Sequence, residues 1–197
     1  MVYDGVLLGL IVGLFRGGWR QGLIRFSQVR LIAGWMFPVL LLVQLIIFYF
    51  QEKWTGLAAI NGYLFMGVYV VGLIFLWLNR HHKGFKLIII GVLLNFIVMA
   101  VNGGRMPVSL SASEVLGPYY TDMLKSGSVI SKHYMMDAST RLSLLGDIIP
   151  LSKPYPRTQV ISIGDVVMNF GMFLFIQSIM VMKRTKDKQQ ETNPRHA

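Results

Sequence analysis

The sequence predicts an all-α fold, an integral membrane helical bundle of about five transmembrane helices with short helices in an extracytoplasmic segment. Of its 197 residues, 54% are hydrophobic and only 14% charged, against roughly a quarter charged in an average soluble domain. The apolar residues gather in runs of near-crossing length, and the basic residues gather in short clusters between those runs. The 19 Lys and Arg against 9 Asp and Glu leave a net charge of +10. Because these cations punctuate the runs instead of forming one face, the pattern speaks for anionic lipid on the cytoplasmic side as partner and against nucleic acid. Cysteine is absent, which removes disulfides, thiolate catalysis and Cys-based metal sites. No metal site and no cofactor are expected.

Four runs hold the roughly twenty apolar residues that cross about 30 Å of hydrocarbon at about 1.5 Å per residue: Leu31 to Phe50, Leu57 to Leu78, Gly84 to Val101 and Val160 to Met182. A fifth, Met1 to Phe15, is short and carries Asp4. Its first cation, Arg16, follows the apolar stretch, so it reads as a retained span and not a cleaved leader. Arg16, Arg20, Arg25 and Arg30, then Arg80, Lys83 and Lys86, then Lys183, Arg184, Lys186 and Lys188 fall on one side. The positive-inside rule makes that side cytoplasmic. The chain therefore reads as a multi-pass protein of a bacterial cytoplasmic membrane, N-terminus outside and C-terminus cytoplasmic. Residues 1–182 form a single bundle domain, with the outer segment 102–159 inserted before the last span. Residues 183–197 form a polar cytoplasmic tail, without apolar periodicity and so disordered.

Gly5, Gly9, Gly13 and Gly17 recur every four residues, so one face of the first helix lacks side chains and permits close helix packing. In the last span Ser162, Asn169 and Gln177 extend a polar stripe from Asp165 toward the bundle interior. Gln44, Asn61 and Asn95 hydrogen-bond between helices.

The outer segment opens with Asn102-Gly-Gly-Arg-Met-Pro-Val-Ser109, where two glycines permit unusual backbone angles and Pro107 ends any helix. Ser111 and Glu114 suggest a capping box for a short helix ending near Gly117, and a second short helix covers Tyr119 to Leu124. Asp137 to Gly146 reads as a helix with Asp137 as N-cap. If one helix runs instead from Ser131, then His133, Asp137 and Arg141 share a face. Pro150 to Pro156 forms an extended link. Taken with Thr140-Arg-Leu, Leu145-Gly-Asp-Ile-Ile-Pro150 and Ser162-Ile-Gly-Asp165, these motifs make the chain resemble small five-span bacterial membrane proteins of unknown function. The resemblance implies a bacterial membrane and this span plan, and no reaction.

The outer ends of the spans gather Asp4, Arg105, Arg141, Asp147 and Asp165 as ligand- or anion-binding candidates. Two arginines beside apolar walls suit a phosphate or carboxylate headgroup, because guanidinium offers a rigid bidentate fork. The reading is a non-catalytic membrane protein that docks an anionic lipid-like ligand or a partner subunit. The opposing reading pairs Arg105 with Asp165 or Asp4, and Arg141 with Asp147, leaving no binding capacity. A membrane-interface enzyme acting on a phosphorylated or acylated lipid, with His133 or Asp137 as catalytic candidates, is the alternative. A small transporter comes third.

Overall fold

The computed structural model describes residues 2–50, 55–125 and 132–181, with side chains except those of Val2, Phe48 and residues 55–61. The tail from 183, Ser131 and the Asn61 side chain lie outside the described residues, as do the expectations that fall on them. Five longer helices carry the apolar runs: α1 (Val2–Gly17), α3 (Met36–Phe50), α4 (Thr55–Leu78), α5 (Phe85–Val101) and α8 (Ile163–Met180), with a short amphipathic α2 (Trp19–Ser27) after the first.

The outer segment overturns the all-α expectation. It forms a four-stranded mixed sheet in the order β2 (His133–Met135), β1 (Met106–Val108), β3 (Asp147–Leu151), β4 (Gln159–Ser162). β1 runs parallel to β2 and to β3, and β3 pairs antiparallel with β4. Pro107 is tolerated in central β1 because its nitrogen faces β3, where pairing begins only at Val108 opposite Asp147. Toward β2 the Met106 amide donates to the Lys132 carbonyl at 2.7 Å.

The predicted helix over 137–146, and its variant running from Ser131, do not form. Asp137 Oδ1 instead accepts from the Ser139 amide at 2.8 Å and its hydroxyl at 2.6 Å. That local turn competes with helix, and Leu142 is left-handed at φ 51°. Around them, α6 (Leu110–Ser113) continues as a 3₁₀ turn to Leu116, and α7 (Pro118–Lys125) follows. Ser109, not Ser111, holds the α6 N-cap position, without a side-chain cap.

The five-span count is overturned as well. Among the described residues one helix, Ile163–Met180, is long and apolar enough to cross a membrane; Met36–Ile47, Gly62–Leu78 and Phe85–Ala100 are shorter apolar stretches. Backbone geometry trims three of the runs, while in α4, which begins at Thr55, the apolar stretch is counted only over the described side chains from Gly62. Leu31 to Trp35 goes to turns, with Ala33 at φ 54°. Gly84 is left-handed at φ 89° and starts α5 one residue late. Val160 to Ser162 is given to β4.

α8 lies between α1 and α5, while α4 packs on α5 and α3. Phe85 and Ile88 of α5 meet Phe175, Ile176, Ile179 and Met180 of α8 in one buried cluster. A second joins Ile47, Phe65, Val98 and Met99 to Met106 of β1, seating the sheet on the helices. At the end of the helices away from the sheet, Arg25 donates to the last carbonyls of α8, reaching Met180 O at 3.2 Å, a favourable place for a cation. There too Asn79, wholly buried, exchanges two hydrogen bonds with the Ile32 backbone at 2.8 and 2.9 Å.

Candidate functional site

The junction of sheet and helices is built around the start of α8. Ser162 ends β4 and caps the helix: its hydroxyl accepts from the Asp165 amide at 3.0 Å, and its own amide donates to Asp165 Oδ2 at 3.1 Å. This reciprocal box satisfies helix-end donors that have no partner inside the helix. Asn95 of α5 closes it, donating to Asp165 Oδ1 at 3.0 Å and accepting from the Ser162 hydroxyl at 2.8 Å. All three side chains are buried. Gly91 and Gly164 make the approach possible, because a Cβ on Gly164 would collide with the Asn95 amide oxygen.

One strand away, Asp147 stands opposite Ser162 across the β3–β4 pair. Its carboxyl reaches over β1 to His133, with Nε2 to Oδ2 at 3.4 Å. Burial, the Asp165 carboxylate nearby and, in the opposite sense, Lys132 set its pKa, which is pushed up to about 8. Burial also drives His133 down to about 3, helped by the neighbouring charges of Lys132 and Arg105. Near neutrality the pair therefore holds one acidic proton between them. Tyr69 of α4 lies within electrostatic reach of both Asp147 and Asp165.

This shared proton has a consequence for stability. The unfolded chain protonates His below about 6.5 and Asp below about 3.9. Between roughly pH 4 and 6.5 folded and unfolded pairs each hold one proton, so the pH slopes cancel. From pH 6.5 to 8 only the folded pair holds it, and stability falls as pH rises, by about 2 kcal/mol over that window. Below about pH 4 the unfolded pair binds the second proton and stability falls again. Urea unfolding at stepped pH should show that alkaline decline, and Asp147→Asn should flatten it; a decline of full size in the variant would assign the proton elsewhere.

Arg105 follows the turn that ends α5, and Arg141, from the loop after β2, is held against that turn. Arg105 is half-buried, donates to the His133 carbonyl at 2.7 Å and lies 5.7 Å from the Tyr134 ring centre. Burial lowers its pKa. Asn102, in the same turn, clamps the backbone of Arg141: its Oδ1 accepts from the Arg141 amide at 3.0 Å and its Nδ2 donates to the Arg141 carbonyl at 2.8 Å. The Arg141 side chain is exposed, and among the described residues it makes no ion pair with Asp147, which takes His133 instead. Asp137 is exposed, and its bonds to Ser139 and Thr140 hold it below the usual carboxylate range; it closes its own turn on a strand-end loop, not a helix face with His133.

Asp4 is in the first turn of α1 and hydrogen-bonds the Tyr155 hydroxyl, away from the Asp165 network. Behind it the glycine face lies along α8, where Cβ atoms at Gly5 and Gly17 would strike the backbone carbonyls of Asn169 and Met180, and at Gly9 and Gly13 the side chains of Ile176 and Met180. The polar stripe of α8 serves this contact. Asn169 Oδ1 accepts from the Gly5 amide at 3.1 Å, and Gln177 donates to the Gly9 carbonyl at 2.7 Å.

Sequence reasoning did not assign Asn102, Asn79, Tyr69 or Tyr155 to any site. The i, i+3 spacing of Ser162 and Asp165 was a usable capping-box signal, whereas the Asn102–Arg141 clamp joins residues too far apart for any local pattern. Among the described residues no three His, Asp or Glu side chains converge as a metal site.

Three comparisons bear on kinship. An uncharacterized protein of Thermotoga maritima is 29% identical over 175 residues, covering 89% of each chain. No solved structure matches. The model of a "Family of unknown function (DUF5317)" matches residues 28–177, well over half of the chain, so this protein belongs to the DUF5317 family.

Proposed function

We propose that this protein is embedded in the bacterial cytoplasmic membrane and binds an anionic lipid-like ligand at the turn that carries Arg105 and holds Arg141. The observation that carries the reading is the Asn102 clamp, which ties the exposed Arg141 to the turn of Arg105 while Asp147 and Asp165 are committed to His133 and to Asn95 with Ser162. A guanidinium so placed suits a phosphate or carboxylate headgroup.

Membrane residence is supported by the outward faces of the helices. Leu7, Leu8, Ile11 and Phe15 on α1, Phe37, Leu41 and Leu45 on α3, Ile74 and Trp77 on α4, and Val166 and Phe170 on α8 are all exposed. So extensive an apolar surface is foreign to soluble monomers. Arg16, Arg20, Arg80 and Lys83 lie at the end away from the sheet, which favours the sheet outside. Impermeant maleimide should label Ser139→Cys on intact cells but Lys83→Cys only after permeabilisation, and the reverse pattern sinks the orientation. In native mass spectrometry from detergent, Arg141→Ala should lose about tenfold in phosphatidylglycerol retention, the size of one charge-assisted bond; unchanged retention excludes the turn as the site.

A second reading, an enzyme at the membrane interface, draws on the His133–Asp147 contact, since an imidazole oriented by a carboxyl is the minimal acid–base pair. His133 paired with its acid at 3.4 Å keeps that reading open to an activity test with His133→Gln.

A further inference from the structure

A hollow of about 330 Å³ lies where the first turn of α1 meets the link between β3 and β4, away from the Arg105 turn. Its lining carries two charged residues, Asp4 and Arg157, together with Tyr3, Tyr155, Val6 and Leu7. The size is at the lower end of small-ligand sites, which run from about 300 to 1,000 Å³.

Three features of the hollow point to its occupant. Asp4 and Arg157 face one space yet close no ion pair within 4 Å among the described residues; the Arg157 guanidinium instead sits 5.8 Å from the centre of the Tyr3 ring. The Tyr155 hydroxyl is fixed by its bond to Asp4 and by Gln159 Nε2, which donates to it at 3.3 Å. Below the polar rim, the exposed side chains of Leu7, Leu8 and Ile11 form an apolar track along α1.

Separated opposite charges above an apolar track match a molecule with a cation and an anion a few ångströms apart and a hydrocarbon tail. We propose that this hollow binds a zwitterionic phospholipid, with the headgroup ammonium on Asp4, the phosphate on Arg157 and an acyl chain along Leu7, Leu8 and Ile11. A purely anionic headgroup would meet Arg157 but leave Asp4 without a cation, so the hollow discriminates against the ligand of the Arg141 turn. The inference rests on the membrane reading for access to lipid, but it uses different residues and a different headgroup.

The test is native mass spectrometry of the full-length protein in detergent, with phosphatidylethanolamine and phosphatidylglycerol added in equal amounts. The phosphatidylethanolamine adduct should persist in the wild type and in Arg141→Ala, and fall at least tenfold in an Asp4→Asn, Arg157→Gln double variant. Val6→Trp, which fills the hollow from its apolar side and leaves both charges in place, should lose the same adduct. Retention of phosphatidylethanolamine by the double variant or by Val6→Trp at the wild-type level overturns the site, as does its absence from the wild type. Free phosphoethanolamine should compete only in large excess; displacement at equal concentration would mean that the headgroup alone is the ligand. Loss of phosphatidylglycerol in Arg141→Ala is scored separately, so either lipid site can fail while the other stands.

Discussion

Asp165→Ala is expected to lower the stability of the folded protein by about 3 to 4 kcal/mol, read as a drop in the thermal unfolding midpoint in detergent. The carboxylate accepts from Asn95 Nδ2 and from the Ser162 amide with its two oxygens. Bonds to a charged acceptor contribute about 1.5 to 3 kcal/mol, and stranding their buried donors adds desolvation cost, while the Ser162 hydroxyl still caps the amide of residue 165. Asp165→Asn should not escape this penalty. Both oxygens are engaged by donors, and an amide has only one acceptor to offer. The double exchange Asn95→Asp, Asp165→Asn restores the count. Asn at 165 accepts from the Ser162 amide and donates to Asp at 95, which also accepts from the Ser162 hydroxyl. Recovery of most of the lost stability in the double variant, with each single variant impaired, would identify the network by its donor–acceptor logic. Equal impairment of all three would reduce Asp165 to a buried charge with no particular partner.

That network also shows what the sequence carried and what it could not. The helices α3, α4, α5 and α8 fall within a few residues of their apolar runs, because hydropathy over twenty residues is a strong local signal. The short helices before and after Gly117 were legible for a similar reason, in their turn residues. The sheet was not. Met106–Val108 and His133–Met135 are three residues each, too short for a two-residue alternation to register, and Pro107 argued against a strand on its own. What makes them strands is pairing between segments more than twenty residues apart, which no local pattern encodes. Asp137 and Leu142 misled in the opposite way. Asp137 has the side chain of an N-cap, but its bond closes an isolated turn on Ser139 and no helix follows.

The candidate site divides along the same line. Asp165 with Ser162 was visible as a polar start to an apolar helix, and Arg105 as a cation held beside the bundle. The partners were not: Asp147 meets His133 across β1, and Arg141 is positioned by Asn102 through its backbone, so both depend on the sheet that the sequence concealed. Helix-borne features were readable and sheet-borne ones were not.

The glycines of α1 should separate cleanly by what stands opposite them. At Gly5 and Gly17 an added Cβ would meet backbone, the carbonyls of Asn169 and Met180, and backbone yields only if the whole helix moves. Gly5→Ala would in addition push the Gly5 amide away from Asn169 Oδ1, 3.1 Å distant. At Gly9 the nearest atom is Ile176 Cβ at 3.0 Å, and at Gly13 it is the flexible Met180 thioether, which can swing aside. Overpacking costs about 1 to 3 kcal/mol, sometimes more, against a helix-propensity gain of about 1 kcal/mol for replacing glycine by alanine. Gly5→Ala and Gly17→Ala should therefore lose about 2 kcal/mol, Gly9→Ala less, and Gly13→Ala close to nothing. Gly67→Ala in α4, where nothing lies within 4 Å of the added atom, should gain up to about 1 kcal/mol. Thermal unfolding of the five variants in one detergent tests the order. Equal midpoints for Gly5→Ala and Gly67→Ala would refute the close seating of α1 on α8, and with it the frame that sets Asp4 beside Tyr155.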